Sequence, residues 1–148
     1  MTDITDFHSI SNIDDCRLIT LEKHHHENGN LSFVENNRQL PFDINRVYYI
    51  YDVPGGAERG GHSHKQCAIF LLAVSGSFDV EITDGVNSRT FTLNRSNIGL
   101  YIAPGIWRVL TNFSSGSVAL SIASRKYEPE DYIYEYDVFI EATSCKRK

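Results

Sequence analysis

The sequence has little of what marks membrane, secreted or nucleic-acid-binding chains. No apolar run approaches the ~18 residues of a membrane-spanning helix. The opening MTDITDFHSISNIDD is polar and acidic, unlike a signal peptide. Cysteine is sparse: Cys16, Cys67 and Cys145 form an odd set with no Cys-x-x-Cys spacing. Such a set offers no disulfide framework and points to reduced thiols in the cytoplasm. Positive charge is short as well. The 14 Lys and Arg stand against 19 Asp and Glu, a net charge of −5, without the broad basic stripe of a nucleic-acid binder. The basic end Lys146-Arg147-Lys148 is short and reads as solvated. One anionic small molecule stays within reach of such a chain, provided a few Arg and Lys converge locally. There is no internal repeat, low-complexity tract or linker.

What is present suits one globular domain spanning residues 1–148. Hydrophobic residues make up 41%, with eight Tyr and eight Phe, enough to rule out wholesale disorder and to fill a core. The pattern predicts β-structure almost throughout. Strand-like stretches run from Arg46 to Asp52, Ala68 to Val74, Ser77 to Thr83, Arg89 to Leu93, Ile98 to Ala103, Trp107 to Asn112 and Ser117 to Ser124. Pro54-Gly55-Gly56, Ser75-Gly76, Asp84-Gly85 and Pro104-Gly105 punctuate them. Short strands at such spacing indicate an antiparallel sandwich, jelly roll or small barrel. The Ala68–Val74 run reads as a strand buried on both faces. Leu31 to Val34 is a candidate strand after an Asn28-Gly29-Asn30 turn. Residues 128–136 suggest a short helix or turn followed by one last strand. The triplet His24-His25-His26 reads as a solvated loop, and Cys67 as a buried, inert thiol.

Chemistry concentrates in GGAERGGHSHKQCAIFLLAVSG, from Gly55 to Gly76. Gly56 is followed by five residues and then His62-Ser63-His64; Ile69 lies five positions beyond His64, and Gly76 seven further on. On a strand His62 and His64 share a face. The spacing resembles the first cupin motif, and Gly99, Pro104-Gly105, Arg108 and Asn112 follow the order of the second. That resemblance implies an all-β cupin jelly-roll barrel. A metal-binding cupin supplies three histidines and one glutamate. Here Ile69 stands at the glutamate position and Arg108 at the third histidine. A guanidinium beside a divalent ion is repelled by several kcal/mol even at an effective dielectric of about 20. The reading is therefore a site with no metal and no other cofactor, whose imidazoles handle protons near neutral pH.

Longer runs are similar to a metal-independent cupin family, the nucleoside-diphosphate-sugar 3,4-ketoisomerases that act on dTDP-4-keto-6-deoxyglucose. They are Arg46-Val-Tyr-Tyr-Ile-Tyr-Asp52, Arg59-Gly-Gly-His-Ser-His-Lys65, Gly99-Leu-Tyr-Ile102 with Pro104 and Trp107, Phe113-Ser-Ser115 and Asp131-Tyr-Ile133. The resemblance implies catalytic roles for His62 and Tyr48, a homodimer that exchanges an N-terminal strand from residues 1–40, and work in deoxysugar and surface-polysaccharide biosynthesis. Many members carry Trp-His where this chain has Trp107-Arg108, and an Arg or Tyr-Arg in the turn that here reads Glu27-Asn28-Gly29. That turn bears on the C4 configuration of the product in the family. The reaction asks for a base near neutrality and a donor for the enediolate oxygen. His62 is the candidate for the carbon-bound proton, Tyr48 and His64 for the oxygen-bound ones. Arg59, Lys65, Arg46 and Arg108 are candidates for the diphosphate, Tyr101 and Trp107 for the thymine ring or the sugar. At least one of Tyr48, Tyr49 and Tyr51 should be ordinary packing, because strand parity turns neighbours to opposite faces. A sugar 3,5-epimerase, a non-catalytic nucleotide-sugar-binding cupin and, more remotely, a metal dioxygenase are the alternatives.

Overall fold

A computed structural model of the chain describes residues 11–147. The strands are β1 (Arg17–Thr20), β2 (His24–His26), β3 (Gly29–Leu31), β4 (Arg46–Ile50), β5 (Arg59–His64), β6 (Ile69–Ser75), β7 (Phe78–Thr83), β8 (Ser88–Leu93), β9 (Ile98–Ile102), β10 (Trp107–Thr111), β11 (Val118–Ala123) and β12 (Tyr132–Ile133). One helix, α1 (Tyr136–Arg147), follows β12. Two five-stranded sheets form, in the orders β1-β9-β6-β11-β4 and β12-β5-β10-β7-β8, with β2 and β3 as a separate pair. Pairing is antiparallel throughout these ladders.

The two sheets face each other as a jelly roll. Strict alternation on β7 sends Phe78, Val80 and Ile82 inward, where they meet Ile69 and Leu71 of β6, Leu100 and Ile102 of β9 and Ala119 of β11. Each such side chain contributes about 1.5–3 kcal/mol when fully buried. β6 is apolar on both faces because its other face is covered too. Phe70 and Leu72 lie under Leu21, Leu40 and the partly buried Val34, Phe42 and Ile44, so the segment joining β1 to β4 roofs the sheet. Gly99 on β9 leaves the room this needs, since a Cβ there would sit 2.8 Å from the Leu71 carbonyl oxygen.

Two local expectations are corrected, and the C-terminal one is met with a helix added beyond it. His24-His25-His26 is exposed, but it is a strand, paired with Gly29–Leu31 through a Glu27-Asn28 turn. The strand at Leu31 therefore ends where the sequence suggested one would begin. The C-terminal segment holds a 3₁₀ turn, Pro129–Asp131, then the two-residue β12, then α1. The helix escaped the sequence reading because Val138, Phe139 and Ala142 make only a narrow apolar stripe. It docks by Phe139 and Ala142 against Trp107 and Ile133.

Candidate active site

β5 departs from a plain strand at its glycines. Gly60 has φ +81°, a conformation that costs glycine little. The ladder to β10 pairs Arg108 with His62 and Leu110 with Arg59, so β5 carries one residue more than β10 across this step. Such a bulge re-aims the side chains beside it. A Cβ at Gly60 would come within 3.3 Å of Leu110 Cδ1, a second reason for glycine. Beyond the bulge, His62 faces a cavity of about 480 Å³ between the sheets, whose lining includes Tyr48, Arg59, Arg108, Ser121, Tyr132 and Tyr134.

The structure thus brings together Tyr48, Arg59, His62 and Arg108. Arg59 is exposed at the rim. Arg108 is 3% exposed and stands opposite His62, Nη1 to Nε2 3.5 Å, while its Nε and Nη2 have no partner among the described residues. Burial pulls its pKa below the usual value, yet a guanidinium stays charged in proteins. Arg46 sits behind Tyr48, its guanidinium 5.1 Å from that ring and 5.6 Å from Tyr127. Tyr49 and Tyr51 are exposed and contact each other.

The remaining sequence candidates lie elsewhere. His64 is fully buried. Its ring lies behind His62, edge to face at 87°, with the two Nε2 atoms 3.2 Å apart. Lys65 is buried and lines a neighbouring cavity with Glu130 and Glu135. Tyr101 lies beneath the Arg17 guanidinium, beside Phe42. Trp107 packs on Tyr136 and Phe139 under α1. Depth, not parity, keeps His64 from the cavity, since the two histidines share a face and the second is fully buried. Parity does place Trp107, which precedes Arg108, so its ring points out of the sandwich.

The sequence reading gave no role to Asp131, Tyr132 or Tyr134. β12 pairs Tyr132 with His64 and Ile133 with Ser63, which carries Asp131 to the second histidine. Asp131 Oδ2 is 3.1 Å from His64 Nδ1, and Oδ1 accepts from the Gln66 backbone N–H at 2.7 Å. Tyr132 lies 5.2 Å from the His62 ring and stacks on Tyr134 at 5.3 Å and 11°. The Asp131-Tyr-Ile133 run was visible in the sequence, but an Asp after Pro129-Glu130 reads there as an ordinary turn residue.

Burial sets the electrostatics. It pushes the His62 imidazole down to about 2, helped by Arg108 and His64. It pushes His64 down to about 4, against the raising effect of its Asp131 hydrogen bond. The expectation of imidazoles titrating near pH 7 without a large shift is therefore corrected: little water solvates their charge, and a fixed cation stands beside them. Burial works to raise the Asp131 carboxyl, but His64 and the backbone N–H groups of Gln66 and Cys67 hold it below its usual value.

A metal does not fit these residues. His64, Cys67 and Asp131 have potential ligand atoms within 4.8 Å of one another. However, His64 Nδ1 and both Asp131 oxygens are already engaged in hydrogen bonds, and the Arg108 guanidinium disfavours a further cation at His64.

A two-sheet jelly roll around such a cavity is the architecture of the cupin-like sugar isomerases. The fold alone is shared with the rmlC epimerase of Mycobacterium tuberculosis, at TM-score 0.69 and 17% identity over 84% of this chain and 70% of that one. The family model FdtA, described as WxcM-like, C-terminal, matches residues 14–144, and the chain belongs to this family of sugar 3,4-ketoisomerases. It is 38% identical over 123 residues to the TDP-4-oxo-6-deoxy-alpha-D-glucose-3,4-oxoisomerase of Aneurinibacillus thermoaerophilus, covering 83% of this chain and 88% of the relative. The WlaRB TDP-quinovose 3,4-ketoisomerase of Campylobacter jejuni superimposes with TM-score 0.83 at 41% identity, covering 87% of this chain and 99% of that one. QdtA of Thermoanaerobacterium thermosaccharolyticum, a sugar 3,4-ketoisomerase solved with TDP, superimposes with TM-score 0.88 at 34% identity, over 90% and 98%.

Proposed function

We propose that the protein moves the carbonyl of dTDP-4-keto-6-deoxyglucose from C4 to C3. The observation that carries the mechanism is a neutral imidazole, His62, facing a buried guanidinium, Arg108, across the cavity wall. The proton on C3 is acidified by the neighbouring ketone. His62 Nε2 takes it; the C3–H electrons form the C3=C4 bond and the carbonyl pair moves to the C4 oxygen. The enediol is then protonated at C4, while the C3 hydroxyl loses its proton and becomes the new carbonyl. One proton passes from C3 to C4 and one between the two oxygens, with no net gain or loss of electrons.

Arg108 meets the charge that develops on oxygen. Its orphaned Nε and Nη2 are preorganised donors in a dry site, where such donors act most strongly. This moves Arg108 from the diphosphate to the reacting end. Tyr48, on the facing strand, is the group for the oxygen-bound proton. Arg59 at the rim takes the diphosphate, and the exposed Tyr134 offers a ring face to the pyrimidine. His64, with no contact to the cavity, does not touch substrate in this scheme.

We read the enzyme as a cytoplasmic homodimer in deoxysugar and surface-polysaccharide biosynthesis. Buried free thiols at Cys16 and Cys67 support the compartment. The outer edges of β1 and β4, open among the described residues, with exposed Val47, Tyr49 and Tyr51 on or just past β4, support the dimer. The decisive experiment is proton NMR of the product formed from dTDP-4-keto-6-deoxyglucose: a C3 ketone is expected, whereas epimerisation leaves the ketone at C4. His62→Asn should lower kcat about 100-fold or more with little change in nucleotide affinity. Near-normal turnover in that variant rejects the assignment.

A further inference from the structure

His64 and Asp131 are the chemically active residues that the reaction scheme leaves without work. His64 has no route to the cavity, and Asp131 is 6% exposed. Yet they form one continuous chain with the base: Asp131 Oδ2 to His64 Nδ1 at 3.1 Å, then His64 Nε2 to His62 Nε2 at 3.2 Å. The His62 ring also hydrogen-bonds the Gly60 backbone.

Counting hydrogens along this chain is informative. A backbone carbonyl needs a ring N–H, the two-ring contact needs one hydrogen, and the carboxylate contact needs one. That makes three places. Two neutral imidazoles and a carboxylate bring only two hydrogens. With Asp131 ionised, one of these belongs on His64 Nδ1, where the carboxylate accepts it. With the other on the His62 nitrogen that faces Gly60, the contact between the two rings is left unfilled. His62 Nε2 then carries a lone pair, with the Arg108 guanidinium Nη1 beside it at 3.5 Å, and His64 Nε2 carries another.

We infer that Asp131 is a positioning residue for the base: it locks His64 in the Nδ1–H tautomer, so that His64 Nε2 accepts the hydrogen His62 takes from the sugar carbon. The proposal rests on the ketoisomerase reading and deepens it. Abstraction of the C3 proton fills the third place, converts His62 to an imidazolium whose two N–H groups are both accepted, and brings the chain from one negative charge to none. Delivery of a proton to C4 reverses the change, so protons balance over the cycle. The groups that face His64 from the surrounding elements are His62 on β5, Arg108 on β10, Arg46 on β4, Tyr132 on β12 with its ring 4.4 Å away, and Asp131 itself. The two arginines disfavour a cation at His62.

Asp131→Asn tests this sharply. Asp131 Oδ1 accepts the Gln66 N–H, so the amide oxygen of the variant is held there. Its NH₂ then faces His64 Nδ1, which must become the acceptor. The ring flips to the Nε2–H tautomer, and that hydrogen points at the lone pair of the base. Long-range ¹H–¹⁵N NMR of the full-length wild-type enzyme should show His64 protonated at Nδ1, and the variant should show it protonated at Nε2. The variant's kcat on dTDP-4-keto-6-deoxyglucose should fall about 100-fold or more, as expected for a base held in the wrong tautomer, with KM nearly unchanged. Asp131→Glu should recover part of the loss.

An Nε2–H tautomer in the wild-type enzyme overturns the inference, as does an Asn variant with near-normal kcat. The wild-type tautomer decides the matter even if the variant fails to fold. A wild-type enzyme that leaves this substrate unchanged overturns the reaction assignment instead.

Discussion

His62 and His64 are chemically identical side chains one residue apart, and the fold separates their work by depth. One lines the cavity, the other is sealed behind it. Both are held neutral in the native state, at about 2 and about 4, whereas an unfolded histidine titrates near 6.5. The unfolded chain therefore binds more protons than the native protein once pH falls below about 6.5. Stability should be level above about pH 7 and should decline on acidification from about 6.5 through 4, by up to about 1.4 kcal/mol per pH unit for each histidine. Urea denaturation midpoints between pH 8 and pH 4 check this, and His64→Gln should flatten the slope. A midpoint independent of pH in the wild type contradicts it. At this scale the pair, its shared face and the cation at position 108 were legible in the sequence. The partner carboxylate was not, because only strand pairing brings Asp131 across 67 positions of chain to His64.

At the scale of elements, the apolar alternation of β7 and the continuous run of β6 announced themselves, since a two-residue period leaves few other readings. At the C-terminus the turn and a last strand were read without their placement, and α1 was not read at all. β12 is two residues long, too short for any period, and its place is fixed by the ladder to β5. Trp107, legible as a candidate for stacking on substrate, is instead the platform on which α1 rests. The sheet edges carry the next prediction. Among the described residues β1 and β4 have one neighbour each, and such an edge with exposed aromatic residues invites a second copy. Light scattering on the purified protein should return the mass of two chains. A single-chain mass at micromolar concentration argues against the homodimer.

For the molecule as a whole, the sandwich is a compromise between cohesion and reactivity. Its core is apolar on every inner strand except where the cavity opens, and there it encloses a guanidinium with two orphaned nitrogens. Burying an ion without its counter-charge costs several kcal/mol in practice. Arg108→Met, which keeps much of the side-chain volume, should raise the melting temperature of the ligand-free protein by several degrees while abolishing turnover. Differential scanning calorimetry with a turnover assay measures both, and a lower melting temperature in the Met variant argues that the guanidinium is structural.

The same arginine makes the enzyme report on its own occupancy. Whatever seats an oxygen against those two nitrogens supplies the counter-charge that the protein matrix withholds, so saturation with nucleotide sugar should toughen the fold against heat and proteases.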